Sequence, residues 1–206
     1  MTEPTTDEPA TPTSPRNRLD LILALCAIFI SAVSLVVAIQ QSRTERSLVA
    51  ADTWPYLQRI LNNEYDGHRT IAIGVSNDGV GPAKIKSVAM FFDGRPVASG
   101  IDLLRQCCGL DTGKPIPPQL PGGFESSIVD ETVLRAGQDN PMLKFHEAEG
   151  SSAVVDRLRA SLLKISFKAC YCSTLDQCWT SDLRTTAITP VAECKPPEHP
   201  FDPNGR

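Results

Sequence analysis

An apolar segment near the N-terminus constrains this chain more than any other feature. Leu19–Ile39 reads LDLILALCAIFISAVSLVVAI and carries one charge, Asp20, at its edge. As a helix, its 21 residues would extend about 31 Å, which matches the hydrocarbon core of a bilayer. A buried helix of a soluble domain rarely reaches this length without a polar face. We therefore predict a single transmembrane helix over residues 19–39.

A cleaved signal peptide is the alternative interpretation of this segment. It would need a basic start, a shorter apolar run and a small-residue cleavage site. Residues 1–15 are acidic and rich in Thr and Pro, and the best cleavage candidate, Val36-Val37-Ala38, is weak. We expect an uncleaved anchor, preceded by a disordered tail over residues 1–18.

The cysteines orient the anchor better than the charges do. Arg16 and Arg18 precede the segment while Arg43 and Arg46 follow it, so the positive-inside rule barely discriminates. Six of the seven cysteines follow the anchor. An even number of cysteines in one domain is typical of oxidising compartments. We therefore expect a cytoplasmic N-terminus and a C-terminal domain in the periplasm or outside the cell.

The rest of the chain has the pattern of a β-rich domain. Residues 40–53 are polar and contain good helix formers, so they predict a helical stalk next to the membrane. Trp54-Pro55-Tyr56 ends that run, because proline disfavours helix in the residue before it. Residues 54–206 then carry short segments of period two between turn residues. This pattern predicts a mostly β fold, an immunoglobulin-like β-sandwich with one or two short helices.

Strand and helix boundaries can be predicted from periodicity and turn residues. Asn77-Asp78-Gly79 is expected to form a tight turn with positive φ angles, and Leu110–Gly123 a long loop. Short helices are predicted over Ile101–Cys108, which Gly109 would stop, and over Val154–Leu163. Strands are predicted over Thr70–Ser76 (half-buried), Ala83–Phe92, Pro96–Ala98, Glu125–Leu134, Met142–His146, Leu163–Tyr171 and Cys178–Leu183.

Cys172 and Cys178 are the cysteines whose pairing the sequence best defines. They flank a short loop between two predicted strands, so a hairpin would bring them opposite each other. We expect a disulfide between them. The alternative is a metal or thiol site at Cys170-Tyr171-Cys172, but thiolate ligands need a second pair or histidines at fixed spacing, and the sequence offers no such set.

The other cysteines leave their pairing open. Cys107, Cys108, Cys170 and Cys194 allow three pairings, of which two avoid a bond between the neighbours Cys107 and Cys108. Because a bond between neighbours distorts the intervening peptide, we expect each of these two to pair with a distant cysteine. Cys26 lies within the apolar segment and is expected to be a small apolar filler.

The sequence contains no recognisable catalytic or cofactor motif. Gly79–Pro82 lacks the Lys-Ser/Thr of a phosphate-binding loop, and a strand follows it. Asp130 and Glu131 are neighbours in a predicted strand and would point to opposite faces. The histidines are isolated and are expected to be surface or loop residues: His68, His146 and His199.

These observations predict no catalytic, cofactor-binding or metal-binding residue, and we expect that the protein is not an enzyme. The net charge of −4 offers no basic surface for nucleic acid.

Three short motifs carry a resemblance to uncharacterised bacterial proteins with a single membrane anchor. They are Trp54-Pro55-Tyr56-Leu57, the segment Asn77–Ala83 (NDGVGPA), and Tyr171-Cys172-Ser173 followed by Cys178-Trp179. The chain resembles this group over about half of the domain after the anchor. The resemblance implies a β-rich exported domain on a bacterial inner membrane, and it implies no activity.

The function that the sequence favours is a membrane-anchored extracytoplasmic module that binds a protein partner or a small ligand. One alternative is a thiol-redox or metal-handling protein that uses the six cysteines after the anchor. The other is an enzyme whose site is assembled from residues far apart in the chain.

Overall fold

The computed structural model describes residues 15–65, 67, 69–110, 123–146 and 153–203 of the chain. The predicted tail before Pro15, His68 and most of the predicted loop Leu110–Gly123 lie outside these residues. The chain divides into two compact units, Met1–Val49 and Ala50–Arg206.

The first unit is dominated by one long helix, α1, over Pro15–Asp52. Its stretch Arg18–Asp52 is long and apolar enough to cross a membrane. Every described side chain from Arg18 to Val49 is exposed. The predicted membrane segment and the predicted stalk are therefore parts of one continuous helix.

The second unit contains two antiparallel sheets and is mostly β. The first sheet has four strands in the order β1-β2-β7-β5. Their bounds are Leu57–Asn62 for β1, Thr70–Asn77 for β2, Asp139–His146 for β7 and Phe124–Ser126 for β5.

The second sheet has six strands. Its main order is β10-β9-β8-β3-β4, and β6 also pairs with β3. The bounds are Ala83–Phe92 for β3, Arg95–Val97 for β4, Thr132–Leu134 for β6, Ile165–Cys172 for β8, Cys178–Ser181 for β9 and Ile188–Val191 for β10.

One hydrophobic core joins the inner faces of both sheets. Ile73 and Phe145 contribute from the four-stranded sheet, and Met90, Phe167 and Tyr171 contribute from the six-stranded sheet. Two short helices, α2 over Gly100–Cys108 and α3 over Ala153–Ser161, add apolar residues to the same core. Because alternate residues of a strand point to opposite faces, one face of each sheet packs in the core and the other points away from it.

The helix α2 confirms the boundary signals in the sequence. The Ser99 side chain caps the N-terminus by accepting a hydrogen bond from the Asp102 N–H at 3.2 Å. Gly109 ends the helix with a φ of 75°, the left-handed conformation that glycine adopts most readily. The strand predicted at Ala83–Phe92 is likewise confirmed, and a turn follows it at Asp93-Gly94, where both residues have positive φ.

The predicted strand Glu125–Leu134 is wrong, because it is divided between the two sheets. Its first part pairs with β7, while Thr132–Leu134 pairs with β3. Asp130 and Glu131 form the turn that precedes the second part, and Glu131 has a φ of 56°. Asp130 also accepts a hydrogen bond from the Val88 N–H at 2.7 Å. Burial of this carboxyl raises its pKa.

Three smaller predictions also need correction. The strand β2 is buried along its whole length rather than on one face. Ile71, Ile73 and Val75 lie in the core, whereas the residues of the other face, Ala72, Gly74 and Ser76, are small and lie between β1 and β7. The segment Asn77-Asp78-Gly79 does not have positive φ angles, and it leads from one sheet to the other instead of closing a hairpin. Leu163 lies in a 3₁₀ turn before β8 and is 84% exposed.

Candidate functional site

The outer face of the six-stranded sheet carries a pocket, a groove of about 770 Å³. Its floor is formed by side chains that point away from the core. Ser87 of β3 lies opposite Cys170 of β8, and Ala89 lies opposite Lys168. Because most of these side chains are small, the sheet surface leaves room for a ligand.

The C-terminal segment covers this floor. Residues of the segment from Val191 to His199 line the groove together with the strands. One end of the cover is attached by a disulfide between Cys194 and Cys170. The other end is held by Phe201, which packs into the core, and by the Asp202 N–H, which donates a hydrogen bond to the Ala98 carbonyl at 2.7 Å. We call residues 195–200 the cover segment, since it is fixed at both ends.

The groove lining carries charges of both signs. It includes lysines at positions 168 and 195, acidic residues at positions 182, 193 and 198, and His199. Asp182 is occupied structurally, because its carboxylate accepts hydrogen bonds from the Thr185 and Arg184 N–H groups at 3.0 and 2.9 Å. These hydrogen bonds hold the pKa of Asp182 below its usual value. Such a mixed lining suits a polar ligand with both donors and acceptors better than a strongly charged one.

Four cysteines lie together at one end of the groove. Cys172 and Cys178 are joined, as the sequence predicts, and Cys170 is joined to Cys194. Cys170 and Cys172 are two residues apart in β8 and therefore face the same side of the sheet. The sulfur of Cys172 lies only 4.0 Å from that of Cys194, in the other disulfide.

The sulfur atoms of Cys172, Cys178 and Cys194 all lie within 4.8 Å of one another, a spacing compatible with a shared metal ion. The sequence suggests the six cysteines after the anchor as an alternative metal-handling set, but this grouping of three could not be predicted, because Cys194 is far from the Cys172 hairpin along the chain. In the disulfide form these atoms are not thiolates. Metal binding here would therefore require reduction first.

The remaining cysteines contradict the expected pairing. Cys107 and Cys108, at the C-terminal end of α2, are joined to each other with Cα atoms 3.7 Å apart. The reason is that the other four cysteines after α1 are paired among themselves, which leaves the neighbours no described partner in the same unit. The Cys108 carbonyl also accepts a hydrogen bond from the Arg157 guanidinium at 2.9 Å, which ties α2 to α3. Cys26 is free and exposed on α1.

His146 takes part in a hydrogen-bonded chain that sequence analysis missed. Its Nε2 lies 3.0 Å from the Glu125 carboxylate, and its Nδ1 lies 3.2 Å from the Thr70 hydroxyl. The three residues meet because β2, β7 and β5 are neighbours in the sheet, a relation that their spacing in the chain conceals. The hydrogen bond from His146 is the main reason why the pKa of Glu125 is lowered.

This chain of hydrogen bonds contains the residue types of a catalytic relay, but its hydroxyl group is not exposed to solvent. Thr70 is only 3% exposed, so its hydroxyl is not presented to a substrate. A pocket of about 250 Å³ lies beside Glu125 and does not include Thr70 or His146. Of the other histidines considered from the sequence, His199 lies in an exposed loop and lines the groove. Among the described residues the histidines therefore do not converge on one site.

The motifs Trp54-Pro55-Tyr56-Leu57 and NDGVGPA meet in space and have a structural role. The Asn77 side-chain oxygen accepts hydrogen bonds from the Tyr56 and Gly79 N–H groups at 3.2 and 3.1 Å. Its amide nitrogen donates to the Gly81 and Leu134 carbonyls at 2.9 and 3.1 Å. Asn77 thus joins the start of the domain to the segment that connects β2 of one sheet with β3 of the other.

The two glycines of this motif are required for the same contact. A Cβ at Gly79 would overlap the backbone between residues 54 and 56, and one at Gly81 would overlap the backbone of Thr53. Only glycine allows the two backbone segments to approach this closely. The two glycines therefore serve the contact between these backbone segments.

The comparisons with known proteins leave the function to be argued from the geometry. A scan against protein-family models and a search of curated proteins find no match to this chain.

Proposed function

We propose that this protein is a membrane-anchored binding module of a bacterial inner membrane, and that its ligand occupies the groove on the six-stranded sheet. The observation that carries the proposal is the groove, a space of about 770 Å³ between the sheet and the cover segment. Its volume falls in the range of pockets that hold small ligands or peptide side chains. The described residues that line it include no nucleophile paired with a base, which favours binding over catalysis.

The strand order supports an immunoglobulin-like domain as the binding scaffold. Constant-type immunoglobulin domains have strands A, B, E and D in one sheet and C, F and G in the other. In this chain β1, β2, β7 and β5 take the first set of positions in order, and β3, β8 and β9 take the second. The cysteines depart from antibody domains, because they lie on the outer face of the second sheet rather than bridging the sheets across the core.

The disulfides support an extracytoplasmic location for the domain. Bonds of this kind persist in oxidising compartments and are rare in the cytosol. All three disulfides in the described residues lie after α1. With α1 in the bilayer, the N-terminus is then cytoplasmic and the groove faces the periplasm or the cell exterior.

Site-specific photocrosslinking in native membranes tests the ligand site. A photoreactive phenylalanine in place of Lys168 lies in the groove, whereas the same residue in place of Gln58 lies on the exposed side of the other sheet. We expect crosslinked adducts at position 168 and none at position 58. Ala89→Trp, which fills the groove floor, should remove the adducts, and Gln58→Trp should preserve them.

Equal labelling at both positions, or labelling at position 168 that Ala89→Trp leaves unchanged, would contradict this site. The folded state of each variant is checked by thermal unfolding, since a large residue beneath the cover segment can also disturb packing.

A further inference from the structure

Two disulfides, each with one cysteine in β8, lie close together beside the groove. One, Cys172–Cys178, closes the β8–β9 hairpin, and the other, Cys170–Cys194, attaches the C-terminal segment to β8. The Cys172 and Cys194 sulfurs, which belong to different disulfides, are 4.0 Å apart. This separation is close to the contact distance from which a thiolate attacks a disulfide sulfur.

We propose that this cluster is a thiol–disulfide exchange site whose substrate is an external dithiol. The proposal goes beyond ligand binding in the groove, because it concerns covalent chemistry of the four cysteines. It does not depend on the identity of any ligand.

The exchange begins at the more accessible disulfide. Cys178 is half-buried whereas Cys172 is buried, so a thiolate of the external dithiol attacks the Cys178 sulfur and releases the Cys172 thiolate. The second thiol of the dithiol then attacks the mixed disulfide. The dithiol leaves as an oxidised disulfide, and Cys178 is left as a thiol. Two electrons have passed from the dithiol to the Cys172–Cys178 bond.

The second step takes place within the cluster. The Cys172 thiolate attacks the Cys194 sulfur, a Cys172–Cys194 bond forms, and Cys170 leaves as a thiolate that takes up a proton. No further oxidant or reductant is consumed. Lys84 is the direct cross-strand partner of Cys172, and its ammonium group pairs with the Asp176 carboxylate at 2.7 Å.

The new bond would change where the C-terminal segment is attached. Cys170 and Cys172 lie on the same face of β8, and two residues of a strand span about 7 Å. The attachment of the segment would therefore move by this distance along the edge of the groove, so exchange would alter the cover while leaving the sheets in place.

Two single variants test the predicted Cys172–Cys194 bond, and each begins with a different one of these two cysteines as the free thiol. Cys178→Ser leaves a free Cys172 beside the Cys170–Cys194 disulfide. Cys170→Ser leaves a free Cys194 beside the Cys172–Cys178 disulfide. In both variants we expect a Cys172–Cys194 bond in roughly a tenth or more of the molecules. A tenth corresponds to a new bond that is about 1.4 kcal/mol less stable than the native disulfide it replaces. Cys108→Ser supplies a matched free thiol, Cys107, outside the cluster, and should form no such bond.

The full chain is extracted from membranes, incubated at slightly alkaline pH, alkylated and mapped without reduction. Chymotrypsin is suited to the mapping, because cleavage after Tyr171 and Leu175 separates Cys170, Cys172 and Cys178, which a single tryptic peptide would contain. Wild-type protein treated with one equivalent of dithiothreitol should give the same bond, with Cys170 and Cys178 alkylated.

A Cys172–Cys194 peptide in either cluster variant supports the exchange site, provided that the Cys108→Ser control lacks it. The proposal is overturned if both variants keep their remaining native disulfide and their free cysteine is fully alkylated. It is equally overturned if the control produces the same peptide, since the bond would then reflect general scrambling.

Discussion

Among single residues, Tyr171 shows most clearly what burial does to a polar group in this domain. Its ring packs in the core, with its centroid 5.9 Å from that of Trp179. Its hydroxyl is buried near the backbone of Leu57, but no described group completes a hydrogen bond to it. Burial raises the pKa of Tyr171 to about 12. The folded state therefore holds the phenolic proton more tightly than the unfolded chain does.

Tyr171→Phe tests this consequence. The folded pKa lies above the unfolded one, so the unfolded state loses the proton first as the pH rises, and stability falls between about pH 10 and pH 12. This loss should amount to about 2–3 kcal/mol in the wild type and be absent in the variant. Near pH 7 the variant should be as stable as the wild type or slightly more so, since it removes an unpaired hydroxyl. Urea unfolding at several pH values, compared between the two proteins, measures both effects, and parallel alkaline losses would contradict the assignment.

Asn77 is the residue whose side chain joins the most backbone segments. We expect Asn77→Ala to lower the free energy of unfolding by about 2–4 kcal/mol, because several buried backbone groups lose their hydrogen-bond partner together. Val80 lies in the same turn and is 65% exposed, so Val80→Ala is the matched control and should change stability by less than about 0.5 kcal/mol. Denaturant unfolding of the two variants makes the comparison. Similar effects in both would mean that the turn, and not the Asn77 side chain, carries the stability.

At the scale of elements, the sequence predicted those parts whose signals are local. The helix α2 ends at Gly109, the residue predicted to stop it, and the strand β3 has the predicted bounds Ala83–Phe92. The segment Glu125–Leu134 failed because pairing with β7 and with β3 depends on partners distant in the chain. The turn at Asp130 and Glu131 cannot be recognised from the alternation of polar and apolar residues.

The candidate site was predictable to the same extent and for the same reason. The hairpin bond between Cys172 and Cys178 follows from spacing alone. The approach of Cys194, the hydrogen bonds of His146 and the bond between Cys107 and Cys108 all depend on tertiary neighbours. Short-range sequence patterns do not indicate which residues become neighbours in the folded domain.

The strand β8 gives a direct test of the alternation on which the fold depends. Phe167 is buried in the core, so Phe167→Asp places an unpaired charge there and should cost several kcal/mol, comparable to the whole stability of a domain. Leu163, just before the strand, is 84% exposed, and Leu163→Asp should change stability by less than about 0.5 kcal/mol. Protease resistance and thermal unfolding measure the difference. Comparable resistance of the two variants would show that Phe167 does not face the core.

At the scale of the whole molecule, the decisive question is which side of the membrane the domain occupies. A periplasmic alkaline phosphatase fused after Arg206 should be active, because this enzyme needs disulfides that form only outside the cytoplasm. A cytoplasmic reporter at the same position should be inactive. The reverse pattern would contradict both the proposed location and the exchange chemistry.

The mass of the protein extracted from the membrane separates an anchor from a signal peptide. A retained anchor gives a chain that begins at Met1 or Thr2, whereas cleavage would give a product beginning near Ile39.

The unequal attachment of the cover segment has a kinetic consequence. The Cys194 end is covalent, whereas the other end is held by the Phe201 side chain and the hydrogen bond from Asp202 to Ala98. Opening should therefore begin at Phe201 and proceed by local unfolding that leaves the sheets intact. Amide hydrogen exchange at Asp202 would report how often this happens, and that frequency would be the rate at which the groove widens on the Phe201 side.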